Sequence, residues 1–298
     1  MPTADANGIR IEYETFGDPA STPLLLICGW SVQMIIWDEG LCNQLAESGH
    51  YVIRFDNRDT GLSTKFDEAG LPDLMAAFGA VMQGHKPDAT YTMDDMAGDA
   101  IGLLDALGIS KAHICGISMG GAITQNIGVR YPDRVLSLIP IYGPTGNPEI
   151  PMADPALWAQ LLEPTPQDKE GFIEASIKRS KFIAGPGFIF DEDWHRQFFA
   201  RSFDRNNSWE GIARQLVAAL TQGNMKKALA TIKAPTLIVQ GTDDPLIRLE
   251  NGKDMADGIP GAKLMLIEGM GHDFPNGRGA WPQIMNAMLE HMKEADAK

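Results

Sequence analysis

With 298 residues, 44% of them hydrophobic, the chain is long enough to bury a sizeable core. Lys and Arg number 25 against 39 Asp and Glu, a formal charge of −14, and an electronegative surface argues against nucleic acid and anionic membranes as partners. No apolar run approaches the roughly 18 residues of a membrane helix, and residues 1–8 lack the basic and apolar regions of a signal peptide, so a cytoplasmic protein is expected.

In chain order, Ile9 to Glu14 alternates apolar and polar residues, the pattern of a half-exposed antiparallel strand. Leu24 to Cys28, Tyr51 to Phe55, Ala112 to Gly116, Val135 to Ile141 and Thr236 to Val239 are instead short, nearly continuous apolar runs. Such runs predict strands covered by helices on both faces. Helical segments such as Asp94 to Leu107 separate them, giving the alternation of a mostly parallel sheet. Thr92 is placed to cap that helix, and Asp94, Asp95 and Asp99 to compensate its dipole.

The alternation lapses between 144 and 230, where amphipathic helical stretches carry Trp158, Trp194, Phe198, Phe199 and Trp209, with Gly-Pro punctuation between 184 and 187. Taken singly, each aromatic is expected to fill the core of this helical layer before it touches a ligand. The core pattern resumes at Ile232, and Lys263 to Glu268 predicts a last strand. The expected fold class is therefore α/β, with a mostly parallel central sheet flanked by helices. Residues 1–143 and 231–298 form its core and 144–230 a helical insertion, with the pocket between them.

Three cysteines, Cys28, Cys42 and Cys115, make no disulfide framework and read as small buried hydrophobes. The six histidines show no metal-site spacing, so neither metal nor cofactor is expected.

The chemistry is carried by Gly116-Ile117-Ser118-Met119-Gly120, a G-x-S-x-G between a predicted strand and a predicted helix. A sharp turn there projects the Ser118 hydroxyl from the sheet as a nucleophile. A hydroxyl needs a base to take its proton and an acid to orient that base. Asp243-Asp244-Pro245 follows one predicted strand, and His272 lies in a glycine-bounded loop after the next. The oxyanion that forms on serine attack needs backbone donors, one of which is the amide of Met119, the residue after the nucleophile.

The order Ser118, Asp244, His272 is that of the α/β-hydrolases, and the chain resembles that superfamily's esterases and lactonases, with the insertion similar to its helical cap. Residues 55–64 (FDNRDTGLST), the elbow followed by Ile123-Thr124-Gln125, and Gly269-Met270-Gly271-His272 are similar to the methylesterases of anthracycline biosynthesis. Tyr91 to Met96 is similar to enol-lactonases. The resemblance implies Asp244 as the acid, because the family motif places it immediately before the proline, and leaves Asp243 a solvated turn residue. It also implies the Trp30 backbone as second oxyanion donor, although Cys28-Gly29 stands where many relatives have His-Gly. Arg58, Asp59 and Ser63 read as a structural turn with ion pairs. His50, His85, His113, His195 and His291 lack catalytic context.

A serine at the elbow sets aside the aspartate-dependent dehalogenases and epoxide hydrolases. Carboxylester hydrolysis asks nothing beyond triad and oxyanion hole, with uncharged small to medium esters as the expected substrates. Lactonase, thioesterase, carbon-carbon hydrolase, perhydrolase and hydroxynitrile lyase activities share the nucleophile, and a non-catalytic binding protein on the same scaffold is the alternative of another class.

Overall fold

The computed structural model describes residues 2–206, 208–276 and 278–297. Its sheet contains β1 (Thr3–Ala6), β2 (Ile9–Phe16), β3 (Thr22–Ile27), β4 (His50–Phe55), β5 (Ala112–Ile117), β6 (Val135–Ile141), β7 (Leu237–Gly241) and β8 (Lys263–Ile267). The spatial order is β1-β2-β4-β3-β5-β6-β7-β8. The two contacts of β2 are antiparallel and all later pairings are parallel.

Strand β1 has no sequence signal of its own: four residues, small or charged, with no apolar periodicity. It forms as a hairpin arm on β2, and the Asn7-Gly8 dipeptide that joins them has φ values of 49° and 80°, the positive-φ turn that closes two-residue hairpins.

The helices are α1 (Glu39–Glu47), α2 (Leu74–Met82), α3 (Met93–Ala106), α4 (Met119–Arg130), α5 (Pro155–Leu161), α6 (Lys169–Ile183), α7 (Glu192–Arg205), α8 (Trp209–Leu220), α9 (Lys226–Leu229), α10 (Leu249–Gly258) and α11 (Trp281–Asp296). None is long and apolar enough to cross a membrane. The central strands feed two cores because consecutive side chains leave opposite faces. Leu24, Leu26, Cys115 and Ile139 meet α1 and α11, whereas Leu25, Ile27, Ile114 and Leu138 meet α3, α4 and α10. This is why their sequences read as continuous apolar runs. All three cysteines are free and buried, and burial pushes the Cys42 thiol up to about 12.

Helix α3 begins with a full capping box, Thr92 and Asp95 each accepting from the other's backbone. Asp99 departs from its expected role. Its carboxylate is buried and bonds Arg58 Nε and Nη2 at 2.6 and 2.7 Å, so it balances a buried guanidinium, one helical turn beyond the reach of the dipole.

Five helices, α5 to α9, separate β6 from β7. The last part of this segment packs on the sheet's own layer: Ala218, Met225 and Leu229 are buried with α3, α4 and α10. The chain leaves β3 toward β4 on one side and β5 toward β6 on the other, so the carboxyl ends of β3 and β5 flank a topological switch point, where open α/β sheets form their crevice.

Candidate active site

At that switch point Ile27 pairs with Gly116, which sets the loop after β3 beside the turn after β5. Ser118 occupies the turn with φ 54° and ψ −118°, a backbone conformation costing a non-glycine residue on the order of 1–2 kcal/mol. Neighbouring glycines permit it: a Cβ on Gly116 would lie 2.2 Å from the Gly120 carbonyl oxygen, and one on Gly120 2.3 Å from that of Ile27. The Ser118 amide donates to Ile141 O at 3.0 Å, tying the turn to β6. Its hydroxyl makes no capping bond to α4. Met119 opens α4, so its amide belongs to the first turn, where helical N–H groups have no partner within the helix.

His272 Nδ1 lies 2.7 Å from Asp244 Oδ2. The aspartate side chain is fully buried after β7, and its other oxygen accepts from the amides of Leu246 and Ile247 at 2.9 and 2.8 Å. Both carboxylate oxygens are thus committed and the imidazole tautomer is set: Nδ1 carries the proton toward Asp244, leaving Nε2 able to accept one. Asp243 is exposed and accepts from the Gly269 amide at 3.2 Å, a turn residue as expected.

The His272 loop is held from the far side by a segment that sequence reasoning treated as mere punctuation. Gly187 N donates to Gly269 O at 2.8 Å and His272 N to Ile183 O at 2.8 Å. A Cβ on Gly185 would lie 2.1 Å from Gly271 N. Two Gly-x-Gly segments, 185–187 and 269–271, therefore cross backbone to backbone, and their shared spacing was the available signal. Asp273 supports the crossing by accepting from the Gly271 amide at 2.7 Å, and burial raises its carboxyl above the ordinary range. Tyr142, φ 37°, packs its ring 4.4 Å from the imidazole centroid and donates its hydroxyl to Asp273 O at 3.0 Å.

Ser118, His272 and Trp30 line one pocket that opens to solvent. Its walls include Phe172, Phe198, Phe199, Trp209, Ile212 and Phe274. Of the five aromatics marked in the sequence, Phe198, Phe199 and Trp209 reach the pocket while Trp158 and Trp194 do not. The expectation that each fills a core holds for Phe198 and Phe199, while Trp209 is half-buried, outside the core clusters and on the pocket wall. Phe198 and Phe199 are buried and also form the wall, because α7 lies between its own layer and the cavity. Trp158 instead packs against Trp30 and Phe78, ring centroids 6.4 and 6.0 Å apart.

The Trp30 side chain donates from its indole nitrogen to Ile212 O at 2.7 Å, which fixes it as pocket wall. Arg58 and Asp59 are structural, as expected. Asp59 accepts from Arg214 Nε and Nη2, both at 2.8 Å, and from Tyr91 Oη at 2.8 Å, all buried. Arg214 escaped sequence reasoning because it lies 155 residues away from Asp59. None of the other histidines lines the pocket: His195 packs behind its wall against Phe274, ring centroids 5.6 Å apart, and His113 on β5 bonds Ser137 Oγ on β6 at 2.8 Å. Among the described residues no cluster of His, Cys, Asp and Glu is arranged to hold a metal ion.

The chain is 30% identical over 305 residues to the rhodomycin D methylesterase DauP of Streptomyces sp. (strain C5), covering 92% of this chain and 93% of that protein. It is 23% identical to 3-oxoadipate enol-lactonase 2 of Acinetobacter baylyi, over 89% and 88% of the two chains. A meta-cleavage product hydrolase from Pseudomonas fluorescens IP01 superposes with a TM-score of 0.77 at 19% identity, over 99% of this chain and 98% of that one. The family model described as alpha/beta hydrolase fold matches residues 22–275, and the chain belongs to that family.

Proposed function

We propose that the protein is a serine carboxylesterase in which Ser118, His272 and Asp244 form the catalytic triad. Ester hydrolysis as the reaction class is supported by family membership and by the methylesterase relative. The observation that carries the mechanism is the 2.7 Å contact between His272 Nδ1 and Asp244 in the pocket that also holds Ser118 on its strained turn.

In the proposed cycle His272 Nε2 takes the Ser118 proton as Oγ attacks the acyl carbon, and the carbonyl π electrons move onto oxygen. The backbone N–H groups of Trp30 and Met119 stabilise that oxyanion. Collapse expels the alcohol, which leaves with the proton from His272, and a serine ester remains. Water, deprotonated by the same imidazole, then releases the acid and restores Ser118. Asp244 holds the tautomer and offsets the imidazolium charge without itself taking a proton.

Residues 144–230 serve as the cap in this reading, except for the last part from Ala218 that packs on the sheet's own layer, and specificity resides in the cap. The walls supplied by α6, α7 and α8 favour small to medium uncharged esters with apolar or aromatic groups. A lactone is a cyclic ester that would use the same steps, and the enol-lactonase relative makes it the second substrate class to assay. The test is a panel of aryl and alkyl esters, lactones and thioesters with a Ser118→Ala control. Turnover of esters by the wild type and none by the variant supports the reading. Equal turnover by both proteins rejects it.

A further inference from the structure

The loop after β3 holds an unfavourable conformation. Ser31, next to Trp30, has φ 64°, a left-handed geometry that is unfavourable for a residue with a Cβ and persists where its surroundings hold it there. What holds it comes from the other side of the pocket. The Ser31 amide donates to Gln215 Oε1 at 3.1 Å, and Gln215 Nε2 donates to Arg58 O at 2.7 Å.

Gln215 is fully buried on α8, so both ends of its amide are committed to core loops, one after β3 and one after β4. Only this orientation pairs donor with acceptor at each end. Three further bonds bring the insertion to the same loop: Trp30 Nε1 to Ile212 O at 2.7 Å, and Gln33 Nε2 to Ser202 O and Asn206 O, both at 2.8 Å. The stretch from Trp30 to Gln33 is therefore fastened to α7 and α8, more than 165 residues later in the chain.

From this geometry we infer that Gln215 is a positioning residue for the oxyanion hole: it fixes the Trp30-Ser31 peptide and thereby aims the neighbouring Trp30 N–H. The inference rests on the proposed esterase mechanism, in which that N–H is a donor. It gives the helical segment a second task besides substrate selection, since α8 sets the rate of a step whose reacting groups all lie on the core. A donor displaced by a fraction of an ångström stabilises the oxyanion less while ground-state binding in the apolar pocket changes little.

The experiment measures kcat and KM for an aryl ester, the affinity for an aryl trifluoromethyl ketone, whose serine hemiketal needs the hole, and Tm. Gln215→Leu removes the acceptor facing Ser31. It should lower kcat about tenfold to hundredfold with KM within about threefold, and weaken the ketone in proportion. Gln215→Glu keeps an acceptor for Ser31 but sets a carboxylate against the Arg58 carbonyl, so its Tm should fall while its kcat stays above that of the leucine variant. Wild-type kcat in Gln215→Leu, or losses that follow Tm irrespective of the acceptor, would overturn the inference. Ser118→Ala measured alongside separates the two levels: if that variant is inactive and the Gln215 variants are not, only the positioning role fails.

Discussion

His272 Nδ1 meets Asp244 Oδ2 at 2.7 Å, although the two residues are 28 positions apart and come from different loops. The adjacent Asp243 turns away to the Gly269 amide. Two neighbouring carboxylates thus differ in what they can do to the imidazole. Asp244→Asn should lower kcat by about 10⁴, as loss of the orienting acid does in a triad. Asp243→Asn should stay within a few fold of wild type. Steady-state kinetics on one ester decides, and equal small losses would assign the role to another carboxylate.

The Gly185 and Gly271 backbones leave no room for a side chain between them. Gly185→Ala should therefore push the His272 loop aside, costing about 1–3 kcal/mol of stability. Thermal melts should show a fall of several degrees. Turnover should fall further than the loss of folded protein accounts for, because the histidine moves with its loop.

The ion pair between Asp59 and Arg214 is buried on both sides. Arg214→Met leaves a carboxylate in the interior with the Tyr91 hydroxyl and the Phe66 amide as its remaining bonds. A loss of about 3–5 kcal/mol in chemical denaturation is expected. Adding Asp59→Asn should restore part of it, since the stranded charge is what costs most.

Acid should destabilise the fold through its buried histidines. Burial pushes the His113 imidazole down to about 4, with Asp296 pulling the other way, and burial lowers His50 as well. A histidine lowered in the fold is neutral there and charges more readily when unfolded. Its stabilising contribution is complete above about pH 6.5 and is lost as pH falls from there toward 4. Melting temperature should decline through that window, and His113→Asn should decline less steeply even though it starts lower at pH 8.

Much of the fold was legible because both-sided burial leaves continuous apolar strands, as Leu24 to Cys28 shows. The candidate site was legible where it depends on local backbone. Ser118 announces itself because a strained strand-to-helix turn demands glycines at fixed offsets. Contacts between distant segments were not legible. Asp99 looked like a residue of a helix start, and only the fold shows Arg58 beside it. Gln215 carries no local mark at all, since its meaning depends on a loop 184 residues earlier. Phe198 and Phe199 were visible as apolar residues, but a wall shared by a core and a pocket looks the same in sequence as a core alone.

The proposed mechanism stands or falls on a covalent bond to Ser118. Intact mass and peptide mapping after treatment with an aryl fluorophosphonate should find one phosphonyl group per chain, on Ser118, with turnover lost in step with labelling. Ser118→Ala should take up none. Stoichiometric labelling at another residue, with turnover persisting in Ser118→Ala, would contradict the account.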